Sequence, residues 1–555
     1  MDRKFKVSFR GEKAIEFEEG TTYKEISEYF KDRFKYDILV AQVDNTLTDL
    51  SESVKSDCNI DFFDRTSSIG NAVYRRSVRY ILVLAVKNLF GDKGDVIIGN
   101  NIDNGTYFFV QNIEMNESVV NEIYKEMKRI VEADHLFTKL SVYRMDAINY
   151  FKKKNGMDKV NVLKYISNTY VNLYRINDLY DYFYDRLAYS TKSIDDFSLK
   201  LLDLGVVAMT TPKALNPNST SKYIHHEKMF NEYKDYMTWL WQIGVTTAAD
   251  LNKAVSQANE VNVINVAEAH YNSQLTRIAD EIYASKKNVK IVLLAGPSSS
   301  GKTTTAKKLD IYLRSKGFIT HPIELDNYFT DIDKRPLNEK GEPDFESIKA
   351  IDVGLFNKNL TDLLEGKEVK LPTFNFTKGK REYNKDNTLK LGEKDIIIIE
   401  GLHALNENLT SSIPKQKKYK IYISPLTQIN IDKHTYIEPD VVRKLRRIVR
   451  DSKARGLGAK ETLRMWNNIE AGEEENILRF QDSADKIINS SLVYEIGVLK
   501  TYVEPLLFNV SEEDPEYSEA IGLINFLRNF LPITSDDIPL DSVLREFIGG
   551  SCFKY

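Results

Sequence analysis

The segment VKIVLLAGPSSSGKTTTAKKL, residues 289–309, constrains the chain more than any other. Its continuous apolar start is the pattern of a strand covered on both faces of a parallel sheet. That run leads directly into Gly296, Pro297, Ser298, Ser299, Ser300, Gly301, Lys302 and Thr303, which fit G-x-x-x-x-G-K-[ST] at every position. The two glycines permit backbone angles that turn the loop's N–H groups inward. Lys302 supplies a cation for the β- and γ-phosphates and Thr303 a hydroxyl for a divalent cation. The helix opening there, with Thr304 in its first turn, adds its positive end. Ala306, Leu309 and Leu313 fall at i, i+3 and i+7, and Gly317 ends the helix. Strand, glycine-rich turn and helix in this order predict a phosphate-chain site on a parallel α/β sheet.

Further strands are expected at ITHPIEL (319–325), DIIIIE (395–400) and YKIYIS (419–424). In such sheets ligands sit beyond the carboxyl ends of the strands, where Asp326 and Glu400 fall. Phosphoryl transfer calls for one carboxylate beside the acceptor hydroxyl and one acid organising Mg²⁺. Asp326 suits the first role. Glu400, with Thr303, suits the second, directly or through water. In RKLRRIVRD a helix puts Arg443, Arg446, Arg447 and Arg450 on one face, opposite a buried face of Leu445, Ile448 and Val449. Four mutually repelling guanidinium groups need an anion, and the triphosphate of ATP is the expected one. A solvated or RNA-facing basic helix is the competing reading. Arg455, beside Gly456 and near Gly458, predicts that the helix leads into a mobile lid. No N-K-x-D guanine-selecting motif and no second copy of the phosphate-loop motif occur, which argues against a GTPase or a two-site ATPase.

The rest of the chain sets the frame. A length of 555 residues predicts roughly two to four domains. The net charge of −4 leaves no global basic field for nucleic acid, so no DNA partner is expected. Two cysteines, Cys58 and Cys552, exclude a disulfide framework and a cysteine-rich zinc site, and suit a reducing compartment. The start, MDRKFKVSFRGEK, lacks a signal-peptide core, and the longest apolar runs are too short to span a bilayer. A cytoplasmic protein without membrane contact is expected. KFKVSF, AIEFEEG, DILVAQVDN and NIDFFD read as strands, and TYKEISEYFKDRF as a helix with Ile26, Tyr29 and Phe30 on one side. A mixed region follows, with an apolar helix in RRSVRYILVLAV and a strand in GTYFFVQNI. ASKKNVK (284–290) is a polar connector.

LAGPSSSGKTT, ELDNYF, IIEGLHALN, RKLRRIVRDSKARG and SADKIINSSLVYE, in this order between Val289 and Leu507, resemble the uridine kinase and phosphoribulokinase group of P-loop kinases. Residues 1–65 resemble a TGS module, a ubiquitin-like β-grasp. YRRSVRYILVLAV with IGNNIDNGTYF is similar to the second N-terminal domain of threonyl-tRNA synthetase. The arrangement, with DSVLREFIGGS near its end, resembles bacterial nucleoside or uridine kinases. The expected fold is therefore an α/β P-loop kinase, a parallel sheet with flanking helices, preceded by a β-grasp TGS module and an α+β synthetase-like domain. Expected boundaries are 1–65, 66–285 and 286–510, with a helical segment at 511–555.

The resemblance implies ATP and Mg²⁺ as cofactors and a nucleoside-like small molecule as acceptor. It implies that Asp326 takes the proton of a nucleoside 5′-hydroxyl, and that the arginine face closes over ATP with Arg447 beside Lys302 at the reacting phosphate. Glu346, in PDFESIKAID, is placed at the ribose hydroxyls, and Tyr328, Phe374 and Arg381 complete the expected acceptor site. One departure matters. Uridine kinases read the pyrimidine with a P-x-Y-x-x-x-x-H segment, and this chain has Phe374 and Gly379 at those places. Phe374 can stack on a base without donating a hydrogen bond, so another nucleoside or a small polyol is equally open. The synthetase editing motif H-x-x-x-H is replaced by Arg76-x-x-x-Tyr80, and no cysteine lies between Cys58 and Cys552. An editing or metal site in the middle region is not expected, and His225 and His226 read as surface or packing residues. A homo-oligomer is expected. The alternative reading is an ATP-binding regulator that contacts RNA or tRNA through its N-terminal half.

Overall fold

Runs of β-branched and large apolar residues place the C-terminal sheet at the centre of its core. The computed structural model describes residues 3–554 except 103–104, 215, 219, 221, 286–287, 336–346, 376–377, 385 and 427. The five strands of this sheet run in the spatial order Ile319–Glu324, Asp395–Glu400, Ile291–Ala295, Lys418–Ser424 and Lys486–Asn489, all parallel. Every residue of Ile291–Ala295 and Lys418–Ser424 is buried, as a sheet covered on both faces requires. Ile319–Glu324 is an edge strand, and of its residues only Ile323 is buried. The helices Lys302–Ser315, Pro439–Arg455 and Glu495–Leu507 flank the sheet. Crossovers of this kind leave the strand ends nearest Gly296 free for a ligand.

The core under the sheet extends across the polar connector into earlier helices. Leu240, Ile264, Tyr271 and Leu275, from Glu227–Ile243 and Glu260–Ala284, share one apolar cluster with Val292, Leu309 and Ile448. The Tyr271 hydroxyl lies 2.6 Å from that of Thr305, one turn into the phosphate-loop helix. Two further sheets precede these helices. One is antiparallel, in the order Ser198–Leu201, Val207–Thr210, Gly105–Gln111, Asp95–Ile102. The other, also antiparallel, joins Leu179–Tyr182, Tyr170–Ile176 and Thr138–Tyr143. The helix Ser68–Phe90 is buried through most of its length, which explains its greasy RYILVLAV run. Lys159, itself buried, lies 2.8 Å from both Asp181 and Asp432 and ties this region to the loop after the strand Lys418–Ser424.

At the N-terminus, Lys4–Phe9 and Cys58–Phe63 pair in parallel at the centre of a five-stranded sheet whose other pairings are antiparallel. The helix Tyr23–Glu28, opened by a Thr22–Glu25 capping box, completes a β-grasp arrangement. Ile26 and Phe30 are buried as expected, but Tyr29 is 68 % exposed. The helix ends at Glu28, so the 3.6-residue period no longer governs Tyr29, whose ring meets Phe17 edge-on at 5.1 Å instead. Among the described residues no helix is long and apolar enough to cross a membrane.

Candidate active site

The phosphate loop begins where the buried strand ends. Gly301 has φ of +89°, a left-handed conformation that lets the loop turn into the helix starting at Lys302. Among the described residues the buried Ser299 and Ser300 hydroxyls have no hydrogen-bond partner, which fits donors aimed at an external oxygen. Lys302 Nζ donates to the Pro297 carbonyl at 3.0 Å, so the ammonium lies folded across the loop it is expected to serve. Burial lowers its pKa, against the pull of Glu400, Glu546 and Glu473. Thr303 Oγ1 donates to Glu400 Oε1 at 3.1 Å.

The two acids at the strand ends share this cleft. Glu400 pairs in register with Leu294 on one side and Glu324 on the other, and Asp326 follows two residues later in the turn Leu325–Tyr328. Burial pushes the Glu400 carboxyl up to about 7, opposed by Lys302 and reinforced by Glu546, Asp326 and Glu324. Asp326 is exposed to solvent at its surface although protein crowds its carboxyl. That burial raises its pKa, Glu324 adds to it, and Lys302, Arg335 and Arg455 oppose it. Lys302 thus acts electrostatically on both acids, and the acids act on each other. Among the described residues no cluster of three or more His, Cys, Asp or Glu side chains could hold a metal ion. A divalent cation here would depend on Thr303, Glu400 and the phosphates themselves, a hard-oxygen set.

The arginine helix departs from expectation. Its guanidinium groups do not form an open face waiting for an anion, because protein carboxylates already meet them. Arg446 is fully buried and bonds Glu495 at 2.7 Å. Arg443 bonds Glu473 at 2.6 Å, and Arg447, Arg450 and Arg455 surround Asp451 at 3.1, 3.0 and 3.4 Å. The helix instead braces the phosphate loop. Arg447 Nη1 donates to Ser298 Oγ at 2.6 Å, Arg446 Nη1 to the Ser299 carbonyl at 3.4 Å, and Glu473 accepts the Ser298 N–H at 2.7 Å. Arg446 and Arg443 are therefore supports of the loop. Arg455, 51 % exposed at its side chain, is the most open of the five. The segment expected to lead into a lid turns a tight corner. Gly456 caps Pro439–Arg455 in the left-handed conformation, and the next helix starts at Ala459.

The acceptor side is also partly revised. Tyr328 is 1 % exposed, its ring packs on Phe356 at 4.8 Å, and its hydroxyl accepts from Asn359 at 3.2 Å, so it belongs to the core beneath the site. Phe374 is buried, held edge-on to Phe329 at 5.8 Å with the Arg335 guanidinium 4.8 Å from its ring, and is not an open stacking platform. Arg381 bonds Asp352 at 3.0 Å. Gly379 adopts φ of +63°, and an added Cβ would lie 2.8 Å from Ile332 Cγ2, so this backbone has no room for a histidine there. Glu346 lies outside the described residues. In the middle region His226 bonds Asp482 at 2.7 Å and His225 packs on Phe230 at 5.5 Å.

Comparison with known proteins meets this geometry from outside. Residues 291–496 match the model of the Phosphoribulokinase / Uridine kinase family. The chain is 31 % identical over 182 residues to a uridine kinase of Staphylococcus haemolyticus, covering 33 % of this chain and 78 % of that protein. It is 33 % identical over 168 residues to a uridine kinase of Macrococcus caseolyticus, covering 30 % and 70 % respectively. The N-terminal part is similar to a threonine–tRNA ligase of Acetivibrio thermocellus, 27 % identical over 179 residues, which is 32 % of this chain and only 28 % of the ligase. With the phosphate loop, the parallel sheet and the acids at its strand ends, these matches make the chain a member of the phosphoribulokinase and uridine kinase family.

Proposed function

We propose that the chain is a kinase transferring the terminal phosphoryl group of ATP to a hydroxyl of a nucleoside or similar small polyol. The observation carrying this reading is geometric: Thr303, next to Lys302 at the start of the phosphate-loop helix, hydrogen-bonds Glu400 at 3.1 Å, and Glu400 and Asp326 stand at the carboxyl ends of adjacent parallel strands. The loop N–H groups and Lys302 hold the phosphate chain and neutralise charge that develops on it. The Thr303 hydroxyl and the Glu400 carboxylate would hold Mg²⁺, which when bound supplies charge compensation at the phosphate oxygens. Asp326 orients the acceptor hydroxyl and takes its proton as the new ester bond forms. Arg447, buried beside Ser298, keeps the loop in shape through this step. The nucleoside class follows the uridine kinases among the relatives. The buried Phe374 and the side-chain-free Gly379 lack the two pyrimidine-reading groups, so the acceptor is assigned by class and not as uridine.

The test is ADP release by the purified chain with a panel of nucleosides and polyols, one of which is expected to accelerate it. Equal release with every acceptor and with none would reject the transferase reading. Lys302→Ala should lower acceptor-dependent turnover by about 10²-fold, the scale of losing one charge-stabilising donor. A far-ultraviolet spectrum unchanged from wild type would show that the loss is chemical and not structural.

A further inference from the structure

The C-terminal strap contributes a group that the phosphate-loop motif does not foresee. After the helix Tyr517–Leu527 the chain returns across the start of the phosphate-loop helix and passes through the short helix Arg545–Ile548. The strap is firmly seated. Val543, Leu544, Phe547 and Ile548 are buried, and Asp541 bonds Lys308 at 2.7 Å. Phe547 lies under the Arg446 guanidinium, and the Ile548 carbonyl accepts from Lys453. The contact reaches the loop itself, since a Cβ added to Gly301 would stand 2.3 Å from Val543 Cγ2.

From this strap Glu546 projects onto the phosphate-loop helix. Its Oε2 accepts both the Thr304 backbone N–H at 3.0 Å and the Thr304 hydroxyl at 2.7 Å. That N–H is in the first helical turn, where no intrahelical acceptor exists and where a phosphate loop offers its donors to the inner phosphates of a nucleotide. A carboxylate and a phosphate oxygen cannot accept the same N–H together, and their like charges repel at that separation. Glu546 also acts on both ends of the catalytic cleft, raising the pKa of Lys302 and of Glu400.

We propose that Glu546 is a built-in competitor for the donor nucleotide, a side-chain gate that must leave Thr304 before an inner phosphate can bind there. This rests on the reading of the cleft as a nucleotide site. Because the strap backbone is pinned by the buried Val543 and Phe547, the gate opens by rotation of Glu546 and not by departure of the strap. The competition sets donor affinity: nucleotide binding has to break a charge-assisted pair of hydrogen bonds first. Any change that neutralises or withdraws this one carboxylate raises affinity for the donor.

Calorimetric titration of ADP into the full chain and into Glu546→Gln tests the gate. The glutamine keeps size and an acceptor oxygen but removes the charge, and ADP is expected to bind about tenfold more tightly. Equal or weaker binding by the variant, with wild-type binding intact, would overturn the gate and leave the kinase reading standing. Absence of ADP binding by the wild type would overturn both. A crystal structure of the wild type with ADP supplies a check that needs no variant. Glu546 is expected to have moved off the Thr304 N–H, and a carboxylate still bonded there with ADP in place would contradict the proposal.

Discussion

Replacing Asp326 by asparagine is expected to lower turnover by about 10³-fold while leaving ATP affinity within about threefold of wild type. The split follows from where the residue stands. Asp326 lies two residues beyond the edge strand, on the far side of Glu400 from the phosphate loop, and makes no hydrogen bond to loop residues among the contacts described. Asparagine keeps the shape and the oxygen that orients a hydroxyl, but it cannot take up the proton. The pH profile offers a second signature. Burial holds the Asp326 carboxyl protonated to higher pH than an ordinary aspartate, against Lys302, Arg335 and Arg455. A general base works only when ionised, so wild-type turnover falls as pH drops through that raised value, and this limb should be missing from the variant. An ATP affinity that falls as steeply as turnover would move Asp326 to the donor side of the cleft.

Glu495→Ala is expected to destabilise the protein by about 3–5 kcal/mol, because it leaves the Arg446 charge buried and unpaired. Arg446 and Glu495 are both fully buried, 2.7 Å apart, and the remaining donors of Arg446 reach the Ser490 carbonyl at 2.8 Å and the Ser299 carbonyl at 3.4 Å. Glu495 also accepts the Leu492 N–H at 2.9 Å and the Gln428 amide N–H, so its loss leaves those buried donors without this acceptor as well. Urea unfolding measures the cost. The double variant Arg446→Met, Glu495→Leu should regain most of the stability, since no charge then remains in the core, yet it should bind ATP less well because the Ser299 carbonyl loses its brace. A Glu495→Ala variant as stable as wild type would show that water reaches Arg446, contrary to the packing described.

The phosphate loop was legible because its chemistry is contiguous: backbone turns, one lysine and one threonine within eight residues, between a strand and a helix that announce themselves by apolar pattern. Glu400 and Asp326 were legible for a related reason, since the end of an apolar strand run is visible in the sequence. The arginine helix was misjudged as an open face because the carboxylates that meet it lie elsewhere. Asp451, four residues after Arg447, was within reach of helical periodicity, but Glu473 and Glu495 are 30 and 49 residues from their partners. Glu546 lies 242 residues from Thr304, in the segment DSVLREFIGGS, whose sequence gives no sign that it meets the phosphate loop. Tyr328 and Phe374, expected at the acceptor site, are both buried. An aromatic residue near an acidic strand end serves equally as a ligand platform or as the core beneath it, and the sequence does not show the packing of Phe356, Phe329 and Arg335 that buries these two. The continuity of the core between Leu240, Ile264 and Val292 is likewise a property of packing, which a polar connector between two patterns does not announce.

Transfer of phosphate to an alcohol at the strand ends that carry Glu400 and Asp326 is the central proposal. The most direct measurement follows ATP by ³¹P nuclear magnetic resonance as the wild-type chain turns it over with the acceptor that best accelerates ADP release. The account predicts a new phosphomonoester resonance growing in step with ADP, with little inorganic phosphate. Inorganic phosphate appearing in step with ADP, and no ester, would contradict it.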